Sequence, residues 1–256
     1  MTSFRVLQYN MQFGQRWEAE RPDHAPIDLE GTIAELRSHA ADVILLQEVE
    51  RAQPGGVQIE PPPHYQRLRA AFPDYHGTFA YPRADPRELP FGIGLAILSR
   101  TPLRDVFRLD LPSPAIEFTF EGGVRTPTDR LLVGARTAIA GRDVHLFNTH
   151  LLAFFMLNAS SEIHGEQRRL VAQRIAGVRG PAVLAGDFNV SRHASLVEQM
   201  DQVGFRSVQT TEPTWWRRPL VLDHIFHNQD LRCVRRQVVK STASDHLPVV
   251  ADFVFA

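Results

Sequence analysis

The chain has a single cysteine, Cys233, and a single lysine, Lys240. One cysteine excludes an intramolecular disulfide and a cysteine-cluster metal site, which fits a reducing compartment. With one lysine, arginine carries nearly all the positive charge; guanidinium forks suit phosphate, and arginine-rich codon usage explains the same bias. Neither sign of charge is in excess: 28 Lys plus Arg stand against 29 Asp plus Glu. No global basic field therefore marks a binder of polyanions, although a local patch stays open. No run approaches the roughly 18 apolar residues of a membrane helix, and the first ten residues lack the basic segment and apolar stretch of a secretory leader. The expected location is the cytoplasm. There is no fixed-period repeat, and the Pro- or Gly-rich connections at 50–63, 82–91, 111–128 and 207–219 are too short for interdomain linkers. One domain over 1–256 is expected, and 43% hydrophobic content in 256 residues is enough for a large core.

What the sequence does have is a series of short β-type runs rich in Val, Ile, Leu and Phe. They cover 4–9, 42–46, 92–99, 131–139, 144–148, 182–185, 221–226 and 249–255. Helical patterns lie between some of them: 29–40 with Asp28 as N-cap, 162–178, and 194–203, closed by Gly204. Strands often follow one another without a helix, which predicts a mixed, largely antiparallel sheet covered by helices rather than a strict βαβ array.

Polar residues of one chemical kind punctuate the strand ends. Asn10 follows "FRVLQY", Glu48 follows "DVILLQ", His150 follows "VHLFNT", and Asp187 and Asn189 follow "AVLAG"; Asp223 lies in "LVLDHIF" and Asp245 and His246 in "SDHLPVV". Strand ends in sheet enzymes form one rim, where scattered residues meet. Four carboxylates in one cleft repel by roughly 4 kcal/mol per pair at 4 Å and an effective dielectric near 20, so the cluster needs a cation or raised pKa values. Carboxylate and amide oxygens describe a hard-cation site, favouring Mg²⁺ or Mn²⁺ over Zn²⁺ and directing attention to phosphoesters. His150 and His246 suit phosphate contact or proton transfer, and Asp223 is the best available partner to orient His246.

Seven blocks then occur in order: "QYNMQFG" (8–14), "LLQEVE" (45–50), "GLAILSR" (94–100), "FNTHL" (147–151), "AGDFNV" (185–190), "LDHIF" (222–226) and "SDHLPVV" (244–250). Together they resemble the signature blocks of the endonuclease/exonuclease/phosphatase superfamily, which includes DNase I-like nucleases, neutral sphingomyelinases and inositol polyphosphate 5-phosphatases. The resemblance spans essentially the whole chain. It implies a four-layer α/β sandwich: two mixed, mostly antiparallel sheets packed face to face with helices outside. It also implies Glu48 as principal Mg²⁺ ligand with Asn10 beside it and Asp245 contributing. By the same pattern Asp187 and Asn189 orient or activate the attacking water, His246 oriented by Asp223 stabilises the transition state, and His150 contacts phosphate or leaving group. The pattern leaves open whether Asp187 or a histidine is the formal base.

The expected activity is divalent-metal-dependent hydrolysis of a phosphodiester by in-line water attack. Nucleic acid is one substrate class, which near-neutral charge disfavours for tight duplex binding. Alternatives are a sphingomyelinase-like lipid or small-molecule diesterase, or a silent binding module of the same fold. Two loops bear on the choice. "LLAFFMLN" (151–158) suits base stacking, lipid entry or plain packing, with packing favoured; "TWWRR" (214–218) pairs Trp215 and Trp216 with Arg217 and Arg218, as for stacking plus phosphate contact or for a core tryptophan with snorkelling arginines. Arg130 sits where such enzymes often carry an arginine, and a surface arginine is the competing reading. Glu88 or Asp85 is a candidate support for His150. The other histidines, His224 among them, read as structural or surface groups.

Overall fold

The computed structural model describes residues 3–256; Met1 and Thr2, part of the leader reading, lie outside the described residues. Among the described residues fourteen strands and four α-helices follow in chain order: β1 Ser3–Asn10, α1 Leu29–Ser38, β2 Val43–Arg51, α2 Pro63–Ala71, β3 His76–Ala80, β4 Gly92–Ser99, β5 Arg104–Leu111, β6 Phe118–Phe120, β7 Gly123–Arg125, β8 Arg130–Ile139, β9 Arg142–His150, α3 Glu166–Ile175, β10 Ala182–Asp187, α4 His193–Asp201, β11 Arg206–Ser207, β12 Asp223–His227, β13 Leu231–Val238 and β14 Val249–Phe255. They form two six-stranded sheets, ordered β13-β14-β1-β2-β4-β3 and β11-β12-β10-β9-β8-β5, plus the small hairpin β6-β7. Each large sheet has one parallel pair, β1 with β2 and β9 with β10; the other pairings are antiparallel. A parallel neighbour needs a crossover, and α1 and α3 supply the two.

Side-chain alternation divides each strand between two cores. Phe4, Val6, Val43, Leu45, Leu95 and Ile97 of the first sheet meet Leu131, Val133, Leu146, Val183, Ala185 and Ile225 of the second in a dry layer between the sheets. The opposite face of the first sheet buries Leu7, Ile44 and Leu46 beneath Ile33 and Leu36 of α1 and Leu68 of α2. The opposite face of the second buries Leu132, Leu184 and Phe226 beneath Val171 and Ile175 of α3 and Leu196 and Met200 of α4. The result is the four-layer sandwich that the family resemblance implies.

The eight β-type runs of the sequence are the eight interior strands of the two sheets. The strands it did not show are the four edges, β3, β5, β11 and β13, and the small hairpin. An edge strand faces solvent along one side and carries charge there: β13 reads Leu-Arg-Cys-Val-Arg-Arg-Gln-Val and β5 Arg-Asp-Val-Phe-Arg-Leu-Asp-Leu. Helix α2, which opens inside "PPPH" at Pro63, was also hidden, because its composition is polar and Leu68 is its one buried residue. The pattern over 162–178 shortens to 166–175, and no described helix is long and apolar enough to cross a membrane.

Candidate active site

The face between the sheets is apolar along most of its length and turns polar at one end. Phe4 and Val6 are followed on the same face of β1 by Gln8 and Asn10; Val144 and Leu146 of β9 by Asn148 and His150; Val183 and Ala185 of β10 by Asp187. Period-two alternation thus delivers Asn10, His150 and Asp187 to one cleft. Register adds Asp223, because β10 pairs Asp187 with His150 on one side and with Asp223 on the other.

Glu48 reaches the cleft by a different route. Rather than following the strand, it lies inside β2, where the pairing with β4 slips between Gln47 and Glu50 and its own φ is 51°. That bulge turns toward the cleft a side chain which alternation would send to the helical face. Asn10 Nδ2 donates to Glu48 Oε1 at 2.8 Å and to Asp187 Oδ2 at 3.0 Å, while its Oδ1 accepts from the Gln12 amide at 3.1 Å. Asn189, also at positive φ, shares its Nδ2 among His150 Nε2, the Leu151 carbonyl and Asp187 Oδ2 at 3.0–3.2 Å. Asp187 Oδ2 lies 3.6 Å from His150 Nε2 and 3.7 Å from His246 Nε2. His246 Nδ1 bonds Asp223 Oδ2 at 2.8 Å, the orientation expected of that pair.

Asp245 stands apart from its neighbour. Its Oδ2 accepts from Arg217 Nε at 2.6 Å and the Trp215 indole at 3.2 Å, leaving Oδ1, 4.0 Å from His246 Nε2, facing the cleft. Trp215 is therefore a buried hydrogen-bond donor, whereas Trp216 is partly exposed against Lys240. In the 151–158 loop Phe154 packs inside, Phe155 meets Trp215 edge-on, and Met156 is exposed. The support suggested for His150 is not found: Asp85 pairs with Arg87, and Glu88 accepts from Thr128 and lies 3.7 Å from Arg130. His224 is fully buried, stacked on Phe226 and met edge-on by Phe188, as a structural histidine should be.

Sequence reasoning missed four contributors: Gln8, Gln47 and Asn148, which bond beneath the site, and Gly92, against Glu48. The first three had a legible signal, being amides at inward positions of otherwise apolar strands.

Electrostatics separate the two histidines. Burial alone would neutralise His246, but Asp223 and Asp187 outweigh it and hold the ring's pKa well above its ordinary value. Burial, reinforced by Arg130, holds that of His150 well below. Burial pushes the Glu48 carboxyl up to about 7, against the Asn10 hydrogen bond and with added repulsion from Asp245. Burial likewise raises Asp187, opposed by the His246 cation. Carboxylates raised in this way are short of positive charge. Among the described residues two groups of three could grip an ion, Glu48-His150-Asp187 and Asp187-Asp223-His246. A donor set of oxygens and imidazole without thiolate fits a hard divalent cation.

Two mixed sheets face to face, with acid, amide and imidazole groups along one common edge, define the DNase I-like class of α/β sandwich. The chain belongs to the Endonuclease/Exonuclease/phosphatase family, which it matches over residues 7–246; members of that family are phosphoester hydrolases. A UPF0294 protein of Yersinia pseudotuberculosis is 29% identical over 121 residues, 44% of this chain and 44% of that protein, so the match spans less than half of the relative. An endonuclease/exonuclease/phosphatase from Beutenbergia cavernae aligns structurally with 100% of this chain and 72% of its own, with a TM-score of 0.74 and 24% identity. The human Nocturnin catalytic domain with bound sulfate anion aligns with 99% of this chain and 95% of its own, TM-score 0.70 and 18% identity. At these identities the structural likeness speaks for the fold alone.

Proposed function

We propose that residues 1–256 form one catalytic domain, a Mg²⁺- or Mn²⁺-dependent phosphodiesterase that works by in-line attack of water. The observation that carries this reading is the position of Asp187 Oδ2, in reach of Asn10, Asn189, His150 and His246 together. Glu48 would hold the cation, with Asp245 offering Oδ1 and Asn10 its side-chain oxygen. When bound, the ion polarises the phosphate and neutralises charge developing on it. Asp187 and Asn189 align the attacking water, Asp187 as acceptor of its proton. His246, kept cationic by Asp223, donates from Nε2 to the phosphate oxygens as charge builds. Neutral His150, beside Arg130, contacts the phosphate or leaving group without adding a buried charge.

The test is hydrolysis of a generic phosphodiester with Mn²⁺ or Mg²⁺ and an EDTA control, extended to single- and double-stranded nucleic acid, sphingomyelin and inositol phosphates. Asp187→Ala and His246→Ala should each lower turnover at least about 100-fold. Unchanged metal-dependent turnover in either would remove the mechanism.

One observation favours a second reading, a lipid or small-molecule diester over duplex DNA. Met156 and Ile163, in the connection that follows His150, and Phe91, in the connection before Gly92, are exposed apolar side chains on loops at this end of the sheets. A zwitterionic lipid surface rewards such residues without a basic field. Liposome co-sedimentation should weaken in Met156→Ala/Ile163→Ala; identical binding would remove this reading.

A further inference from the structure

Directly beneath the cleft, three fully buried amides join the two sheets. Asn148 Nδ2 donates to the carbonyls of Leu46 and Ala96 at 2.8 and 3.0 Å, and Asn148 Oδ1 accepts from Gln47 Nε2 at 2.7 Å. Gln47 Oε1 accepts from Gln8 Nε2 at 2.8 Å, and Gln8 Nε2 also donates to Asp223 Oδ1 at 2.9 Å. All three side chains are sealed from solvent.

The direction of this relay is set at its far end. Two backbone carbonyls can only accept, so Asn148 must turn its nitrogen to them and its oxygen to Gln47. Gln47 must then donate to Asn148 and accept from Gln8, and the last link must present Asp223 with a donor. The chain accepts a cost for this arrangement, since Gln8 Oε1 is buried with no partner. Turning the Gln8 amide over would bring no relief, because Oε1 would then face the Asp223 carboxylate and the Gln47 carbonyl oxygen.

We propose that Gln8 is a positioning residue: by holding Asp223 Oδ1 it fixes the carboxylate plane so that Oδ2 meets His246 Nδ1 and His246 Nε2 is aimed into the cleft. Asp223 and Gln8 come from different sheets, so the same bond sets one half of the site against the other. The catalytic consequence rests on the phosphodiesterase reading above; the orientation of His246 does not.

The test therefore has two arms. In the first, the low-field Nδ1 proton resonance of His246, assigned by its loss in Asp223→Ala, is recorded without substrate in wild type and in Gln8→Leu. Loss or an upfield shift is expected; a folded variant with the resonance unmoved overturns the proposal. Gln8→Met, whose unbranched side chain fits the same slot, serves if Gln8→Leu does not fold. In the second arm kcat should fall about 10- to 100-fold, with KM and Mn²⁺ affinity unchanged. Gln8→Leu placed on Asp223→Asn should cost nothing further, since both act through one imidazole. Additive losses would assign Gln8 a purely structural role and overturn the proposal. A wild type inactive on every phosphoester would sink the function, while the resonance would still decide whether Gln8 orients His246.

Discussion

The inward turn of Glu48 depends on what faces it across the sheet. Gly92 opens β4 opposite the bulge, and a methyl group there would lie 2.7 Å from Glu48 Cγ and closer still to its Cβ and Oε2. Ordinary carbon contacts need about 3.5–4.0 Å. A rotamer change of the carboxylate would not clear the clash, because Glu48 Cβ is fixed by the backbone. The bulge itself would have to move by about 1 Å, the scale of misplacement that costs an active site about 100-fold. Overpacking of this kind costs about 1–3 kcal/mol.

Gly92→Ala is therefore expected to lower Mn²⁺-dependent diester hydrolysis about 100-fold and to weaken Mn²⁺ binding. The melting temperature should fall by several degrees, at about 2–4 °C per kcal/mol for a chain of this size. Gly92 has no positive φ, so alanine brings no backbone strain of its own. The control is Gly92→Ala/Glu48→Gly, which removes all three clashing atoms, Cβ included, at a residue whose φ of 51° glycine adopts freely, and should regain stability without regaining turnover. Calorimetry, Mn²⁺ titration and turnover are read on the same preparations. A Gly92→Ala protein with wild-type turnover and metal affinity would refute the claim that the bulge delivers Glu48.

Three further outcomes are expected. Mn²⁺ at 100 times its dissociation constant should stabilise the protein by about 2.7 kcal/mol, raising the melting temperature by about 5–10 °C; Glu48→Ala should abolish that rise, and an undiminished rise would place the ion elsewhere. Asp223→Asn keeps the shape of the side chain but sets an amide against His246, so kcat should fall about 10²- to 10⁴-fold with the fold intact by circular dichroism, and a smaller loss would demote the pair. Burial pushes His224 down to about 4, with His193 adding to the effect, whereas the unfolded chain protonates near 6.5. Protons therefore favour unfolding: the stability is complete above about pH 6.5 and is lost as pH falls toward 4, by roughly 3 kcal/mol. His224→Phe should flatten urea-unfolding stability across that window, and an unchanged slope would show that His224 does not cause it.

Strands with both faces covered announce themselves, since β10 is apolar as far as Asp187 and the inward residues of β1 and β9, Phe4 and Val6, Val144 and Leu146, stay apolar until they reach the cleft. The edges β5 and β13 were hidden because solvent on one side writes arginine and aspartate into the same pattern that elsewhere means a loop. Of the site, Asn10, His150 and Asp187 follow from counting by twos along those strands, and register brings Asp223 beside them. Glu48 does not follow, because the count assigns it to the face where Ile44 and Leu46 pack under α1 and α2. Val49 does pack with that helical layer, so the alternation has slipped by one residue at the bulge. Nothing in "LLQEVE" alone encodes that slip. It becomes intelligible only when Gly92 is set opposite it, a residue with no side chain at the one place where any side chain would push the carboxylate out of the cleft.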